Sequence, residues 1–312
     1  MMTNLFIQRK RRLNGLLRNG ILAYVIFTSS ICYVLILKGL ESSPPVLFSG
    51  VRTLLGGMAL LGFSLVTGRN VIPDKSLWKW VPAVGLTTAL TFGSMFLSPS
   101  FSGAGLASIL GNSQPLFIAL IAFMFLREKL SGIQSFGLAL GLVGVLLIIT
   151  PSFTGRENLL LTGASLALLT SLAAACGTVI GRHLKLSESL LPFTAWQLII
   201  GGVTLIMLSV VLAEPSIQWS VDFIAVLVVL SVFNTALVTC AWFWLLKNEK
   251  AGTLGSYLFT VPVLGVIWAY LFQGEQPTAS SLFGGGLVLL GVFSSELKNL
   301  YGRLRSKTIS LK

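Results

Sequence analysis

The sequence predicts an all-α polytopic membrane protein, with ten transmembrane helices arranged as two inverted five-helix repeats. Three observations predict it. Of 312 residues, 54% are hydrophobic and only 10% charged, and the mean hydropathy is +0.87. A soluble domain carries about 25% charged residues, so this chain cannot cover itself with a water-facing surface and belongs in a bilayer. The second observation is a repeat. A shift of 147 positions aligns Ala104 with Ala251, Gly105 with Gly252, Pro115 with Pro262, Glu128 with Glu275, Phe136 with Phe283, Gly137 with Gly284 and Gly144 with Gly291, without a gap. Each copy reads as an apolar helix with a proline at mid-length, a tight turn carrying one glutamate, and a glycine-rich second helix. The third observation is where the lysines and arginines lie.

Residues 1–19 form a basic leader with Arg9, Lys10, Arg11, Arg12 and Arg18. The apolar run that follows, Ile21 to Leu37, is long enough to span and has no A-x-A cleavage site after it, so a retained first helix is expected rather than a signal peptide. Nine further apolar runs follow, at 46–67, 80–98, 104–126, 132–150, 160–180, 191–212, 221–246, 252–272 and 279–297. Each can cross ~30 Å of hydrocarbon as a helix that satisfies its own backbone. The first repeat is set at 20–150, the second at 158–297, and 298–312 is a basic tail.

Of the 22 lysines and arginines, Lys38 and Arg156 fall on one side, Arg52 falls inside a span, and all the others share the side of both termini. By the positive-inside rule both termini are cytoplasmic. Five spans per half is an odd number, so the second half enters from the opposite face. The turn holding Glu128 then faces the cytoplasm, and the turn holding Glu275 faces outside. Weaker echoes agree: Gly20 pairs with Gly163 at a shift of 143, and Gly56-Gly57 with Gly201-Gly202 at 145, which sets Arg52 opposite Gln197.

A net charge of +12 would suggest a nucleic-acid partner in a soluble protein, but here the charges lie between apolar runs and at the ends, so none is expected. Cys32, Cys176 and Cys240 sit in apolar runs without C-x-x-C spacing and read as small hydrophobes. His183 lies beside Arg182 and Lys185 in a polar connection and reads as solvated surface. No G-x-x-x-x-G-K-[ST] stretch, metal-ligand cluster or Ser/His/Asp set is present. The expectation is therefore no enzyme, no cofactor and no metal. The partners expected are a small-molecule substrate and the lipid bilayer.

Candidate site residues come from polarity at bilayer depth. Pro115 and Pro262 lie near the middle of the fourth and ninth spans, where a proline removes a backbone hydrogen bond and kinks the helix, so they are read as gating or cavity-wall positions. Asn112 and Gln114 lie on the fourth span, Tyr257 and Thr260 on the ninth, Asn234 on the eighth and Ser94 on the third. Bonds between helices are the plain alternative for each. Arg52 is the only charge well inside a span; a structural role near the outer mouth and contact with an anionic group both fit it. All ten carboxylates lie in connections or near helix ends, so a membrane-embedded carboxylate relay has no carrier.

Ten spans in two halves, each closing with an "A-G…P…E…F-G…G-V" order, resemble the drug/metabolite transporter superfamily, EamA type. The stretches "SQPLFIALIAFMFLREKLSGIQSFGLALGLVGVLL" and "TVPVLGVIWAYLFQGEQPTASSLFGGGLVLLGV" carry the resemblance. It implies a plasma-membrane carrier, in a bacterium an inner-membrane one, that exports amino acids or similar metabolites through a cavity between the halves. The family's second-helix arginine falls on Arg52, its counterpart glutamine on Gln197, and its loop glutamates on Glu128 and Glu275. The usual acidic turn "L-G-E" reads "L-R-E" at Leu126 to Glu128 and "Q-G-E" at Gln273 to Glu275. Export of drugs or lipophilic cations past Tyr257, Phe259 and Trp242 is an alternative, as is a non-transporting membrane partner.

Overall fold

In hydrocarbon a chain satisfies its backbone locally only by coiling into helices. The computed structural model, which describes residues 2–125, 132–149, 158–184, 189–241, 245, 260–280, 282–291 and 293–294, follows that rule, with no strand among the described residues. The helices are α1 (Met2–Leu40), α2 (Pro45–Val66), α3 (Val81–Leu97), α4 (Pro99–Gly111), α5 (Gln114–Phe125), α6 (Gly132–Ile149), α7 (Asn158–His183), α8 (Leu190–Val211), α9 (Val221–Val228), α10 (Thr260–Gln273) and α11 (Leu282–Gly291). Beyond α9 the helix widens into a π-helical segment, Val229–Leu237.

Among the described residues six stretches are long and apolar enough to cross a membrane: Leu16–Leu40, Pro45–Val66, Lys75–Leu97, Leu159–Gly181, Leu190–Val211 and Val221–Ala241. Three more apolar helices among them are shorter, Ser135–Leu147, Thr260–Gln273 and Leu282–Gly291. The fourth apolar run is not one helix. It stops at Gly111 and restarts at Gln114, so Pro115 is the second residue of α5 rather than a kink inside a longer helix. There its missing N–H is one that a helix start leaves unpaired anyway.

Close glycine crossings hold the bundle together. A Cβ on Gly57 would stand 2.8 Å from the Ala195 carbonyl oxygen and 3.0 Å from the Ile199 nitrogen; one on Gly202 would stand 2.9 Å from the Gly50 carbonyl oxygen and 2.5 Å from the Leu54 nitrogen. Every residue in the first set lies 145 positions from its counterpart in the second. The same reciprocity joins α6 and α11. A Cβ on Gly144 would stand 2.5 Å from the Gly284 carbonyl oxygen and 2.8 Å from the Val288 nitrogen, and one on Gly291 would stand 2.5 Å from the Gly137 carbonyl oxygen and 2.6 Å from the Gly141 nitrogen, the counterparts all 147 apart. In both crossings rising numbers on one helix meet falling numbers on the other. Each is therefore an antiparallel pair that maps onto itself when its helices are exchanged, which is a local two-fold perpendicular to the helix axes.

Large apolar side chains on the outer surfaces of these pairs, such as Met58 and Met207, are exposed, as lipid-facing positions are. α3 and α4 lie against α7, and α10 packs between α1 and α4.

Candidate functional site

Arg52 stands on the α2 face turned toward the π-helical segment, and it is only 2% exposed. Its Nε donates to the Leu230 carbonyl at 3.3 Å, and Nη2 donates to Asn234 Oδ1 at 2.8 Å and approaches Cys32 Sγ at 3.9 Å. The guanidinium carbon lies 4.7 Å from the Phe92 ring centroid and 5.3 Å from that of Phe96. Phe96 is itself fixed edge-on by Phe48, with centroids 4.9 Å apart. Aromatic faces and neutral carbonyl oxygens are the surroundings that a desolvated guanidinium tolerates short of a counter-ion.

The sequence alone does not place Asn234 beside Arg52; the π-helical segment does. Thr235 Oγ1 reaches back five residues to the Leu230 carbonyl at 2.8 Å, so that one oxygen answers both Thr235 and Arg52. Widened turns of this kind recur where a helix must present unusual groups. Asn234 is spent from both ends, because its Nδ2 donates to the Thr28 carbonyl on α1 at 2.5 Å while its oxygen holds Arg52. Arg52 Nη1 is buried and makes no hydrogen bond. Among the described residues no carboxylate pairs with this cation.

A second polar cluster forms where the fourth span breaks. Asn112 closes α4 and its side chain donates to the Ser108 carbonyl at 2.7 Å. The Leu110 carbonyl accepts from Ser113 Oγ at 2.6 Å and from Ser171 Oγ of α7 at 2.7 Å. Gln114 donates to the Ala174 carbonyl at 3.1 Å and to Thr178 Oγ1 at 2.7 Å. The break is thus answered by protein groups, as depth in a bilayer requires. α1 links the two clusters: Cys32 meets Arg52, and the hydroxyl of the next residue, Tyr33, fills the place a Cβ on Gly111 would take.

The remaining candidates are more scattered. Ser94 bonds Thr170 Oγ1 at 2.9 Å, tying α3 to α7. Gln197 is half-buried on α8 and has no hydrogen bond to a described residue, Thr260 is exposed at the start of α10, and Pro262 is buried. Tyr257, Glu128, Phe259 and Trp242 lie outside the described residues, as does the side chain of His183. Glu275 caps a helix: its carboxylate accepts from the Ala104 N–H at 2.5 Å and the Gly105 N–H at 2.9 Å, just after Gly103 turns at φ 76°. Glu214 does the same for α2, accepting from Val46 at 3.2 Å and Leu47 at 2.8 Å. Carboxylates at helix N-termini satisfy orphan donors and complement the dipole. Glu214, Phe92 and Phe96 carry no sequence signature that sets them apart from ordinary loop acids and apolar spans.

Comparison with known proteins agrees with this architecture. A protein of solved crystal structure superposes with TM-score 0.63 at 18% identity over 90% of this chain and 97% of its own, a likeness of fold. The uncharacterized transporter YvbV of Bacillus subtilis is 29% identical over 87% of this chain and 89% of its own. A "Probable amino-acid metabolite efflux pump" of Escherichia coli is 27% identical over 88% and 94%. The model of the EamA-like transporter family matches residues 18–150 and again 161–295, so this chain belongs to the EamA-like transporter family, a membrane transporter built from two matching segments.

Proposed function

We propose that the protein is a secondary carrier of the plasma membrane that exports amino acids or related small metabolites by alternating access. Ten spans form two inverted five-helix halves with both termini cytoplasmic, and the halves rock about a seam that holds Arg52, Asn234, Asn112 and Gln114. One observation carries the reading: the reciprocal antiparallel crossings of α2 with α8 and α6 with α11. A two-fold perpendicular to membrane-crossing helices lies in the membrane plane, and repeats so related are the scaffold of alternating access. The efflux relative supports the substrate class. Export of lipophilic cations fits less well, because the seam holds a buried guanidinium that would repel them.

The test is efflux from liposomes holding the purified protein and labelled amino acids. Asn112→Ala and Asn234→Ala are expected to lower flux with membrane abundance intact, and unchanged flux would remove these residues from the site. Side-specific labelling of single cysteines at positions 128 and 275 is expected to find them on opposite faces; a shared face refutes the inverted arrangement.

A further inference from the structure

A buried cation that lacks a counter-ion is costly to keep, and a site retains one where a partner arrives with the opposite charge. Arg52 meets that description: it is 2% exposed, its Nη1 makes no hydrogen bond, and its bonded nitrogens reach only a carbonyl, an amide oxygen and a sulfur. Among the described residues the rest of the seam adds no negative charge, and Glu214 and Glu275 are occupied with helix N-termini. A zwitterionic amino acid needs an acceptor for its ammonium as well as a donor for its carboxylate. Here the Thr28 and Leu230 carbonyls are already taken by Asn234, Thr235 and Arg52 itself.

We infer that Arg52 is the receptor for the carboxylate of a transported monoanion, so that the carrier selects a carboxylic acid without a free amine, such as an N-acylated amino acid, over the zwitterion. The inference rests on the carrier reading above and narrows its substrate class. Nη1 offers the first charge-assisted bond, and a bidentate grip follows when Nη2 exchanges Asn234 Oδ1 for the second carboxylate oxygen. Phe92 and Phe96 set an apolar wall beside that grip. When the substrate leaves, Asn234 takes Nη2 back, so the empty carrier does not strand a bare charge.

Three probes of one skeleton test it: L-phenylalanine, N-acetyl-L-phenylalanine and N-acetyl-L-phenylalaninamide, which are zwitterionic, anionic and neutral. Binding to the purified full-length protein is read by thermal stabilisation, with sodium chloride alone titrated in a parallel series. The anion is expected to bind about tenfold or more tighter than either other probe, a preference lost in Arg52→Gln and partly kept in Arg52→Lys. The wild-type comparison stands even if a variant fails to fold. Equal or tighter binding of the zwitterion, binding of none of the three, or stabilisation by chloride as strong as by the anion overturns the inference. Liposome efflux separates it from the carrier reading. Flux of phenylalanine with no preference for the N-acetyl anion overturns this inference alone, whereas an intact binding preference without any flux overturns only the carrier.

Discussion

Two corners of the molecule occupy equivalent places and differ in one charge. Gly56 faces Thr235 and Gly201 faces Thr88, so α2 meets the π-helical segment as α8 meets α3. Asn234 and Thr87 stand 147 positions apart, and Arg52 and Gln197 stand 145 apart. In the first corner a buried guanidinium binds Asn234, and a widened helix carries that asparagine. In the second, a half-buried amide has no described partner, Thr87 bonds back to the Val84 carbonyl at 2.8 Å, and α3 stays regular. The backbone scaffold is doubled and the chemistry is not. The equivalent crossing in the second half packs without either the charge or the π-helical turn, which is why the proposed carrier uses them for its solute.

The largest expected effect tests the shared scaffold. Gly57→Leu and Gly202→Leu should each abolish the folded protein, while Gly57→Ala and Gly202→Ala should cost about 1–3 kcal/mol and by similar amounts, read by thermal unfolding in detergent. Strongly unequal losses would break the equivalence of the two halves. Next comes the contrast itself. Arg52→Gln should lower flux of the physiological solute about tenfold or more at unchanged abundance, and Gln197→Ala by about threefold or less. Asn234→Ala should destabilise by about 1–3 kcal/mol because it leaves a buried Arg52 N–H without its acceptor and removes the bond to the Thr28 carbonyl, whereas Thr87→Ala should stay within about 0.5 kcal/mol. Smallest is Gly62→Ala: a Cβ there meets nothing within 4 Å, so helix propensity alone acts and should stabilise by about 0.5–1 kcal/mol.

Much of this fold is legible in the sequence because lipid imposes a coarse code. Apolar length marks a helix, and the glycine pairs at 56–57 and 201–202 already announce their mutual crossing. Arg52 is legible for the same reason, since a charge inside an apolar run stands out. Its surroundings are not. Phe92 and Phe96 look like any lipid-facing aromatics, and the π-helical turn that carries Asn234 to Arg52 depends on a single extra residue of helix that no periodicity records. Pro115 misleads in another way: a proline in a long apolar run signals a kink, but Asn112 and Ser113 end one helix first, so the proline begins the next. Gln114 is tied to α7 through the Ala174 carbonyl and Thr178, partners that no spacing in the sequence announces.

Glu275 carries a kinetic consequence. Its carboxylate bonds two N–H groups of α4 from beyond the end of α10, so one side chain clasps the first half of the sequence to the second. Charge-assisted bonds of this kind are worth about 1.5–3 kcal/mol each. Any motion that separates α4 from the turn after α10 has to surrender both. In the proposed carrier this clasp acts as a throttle on opening, so altering this one glutamate is expected to retune turnover with selectivity left as it was.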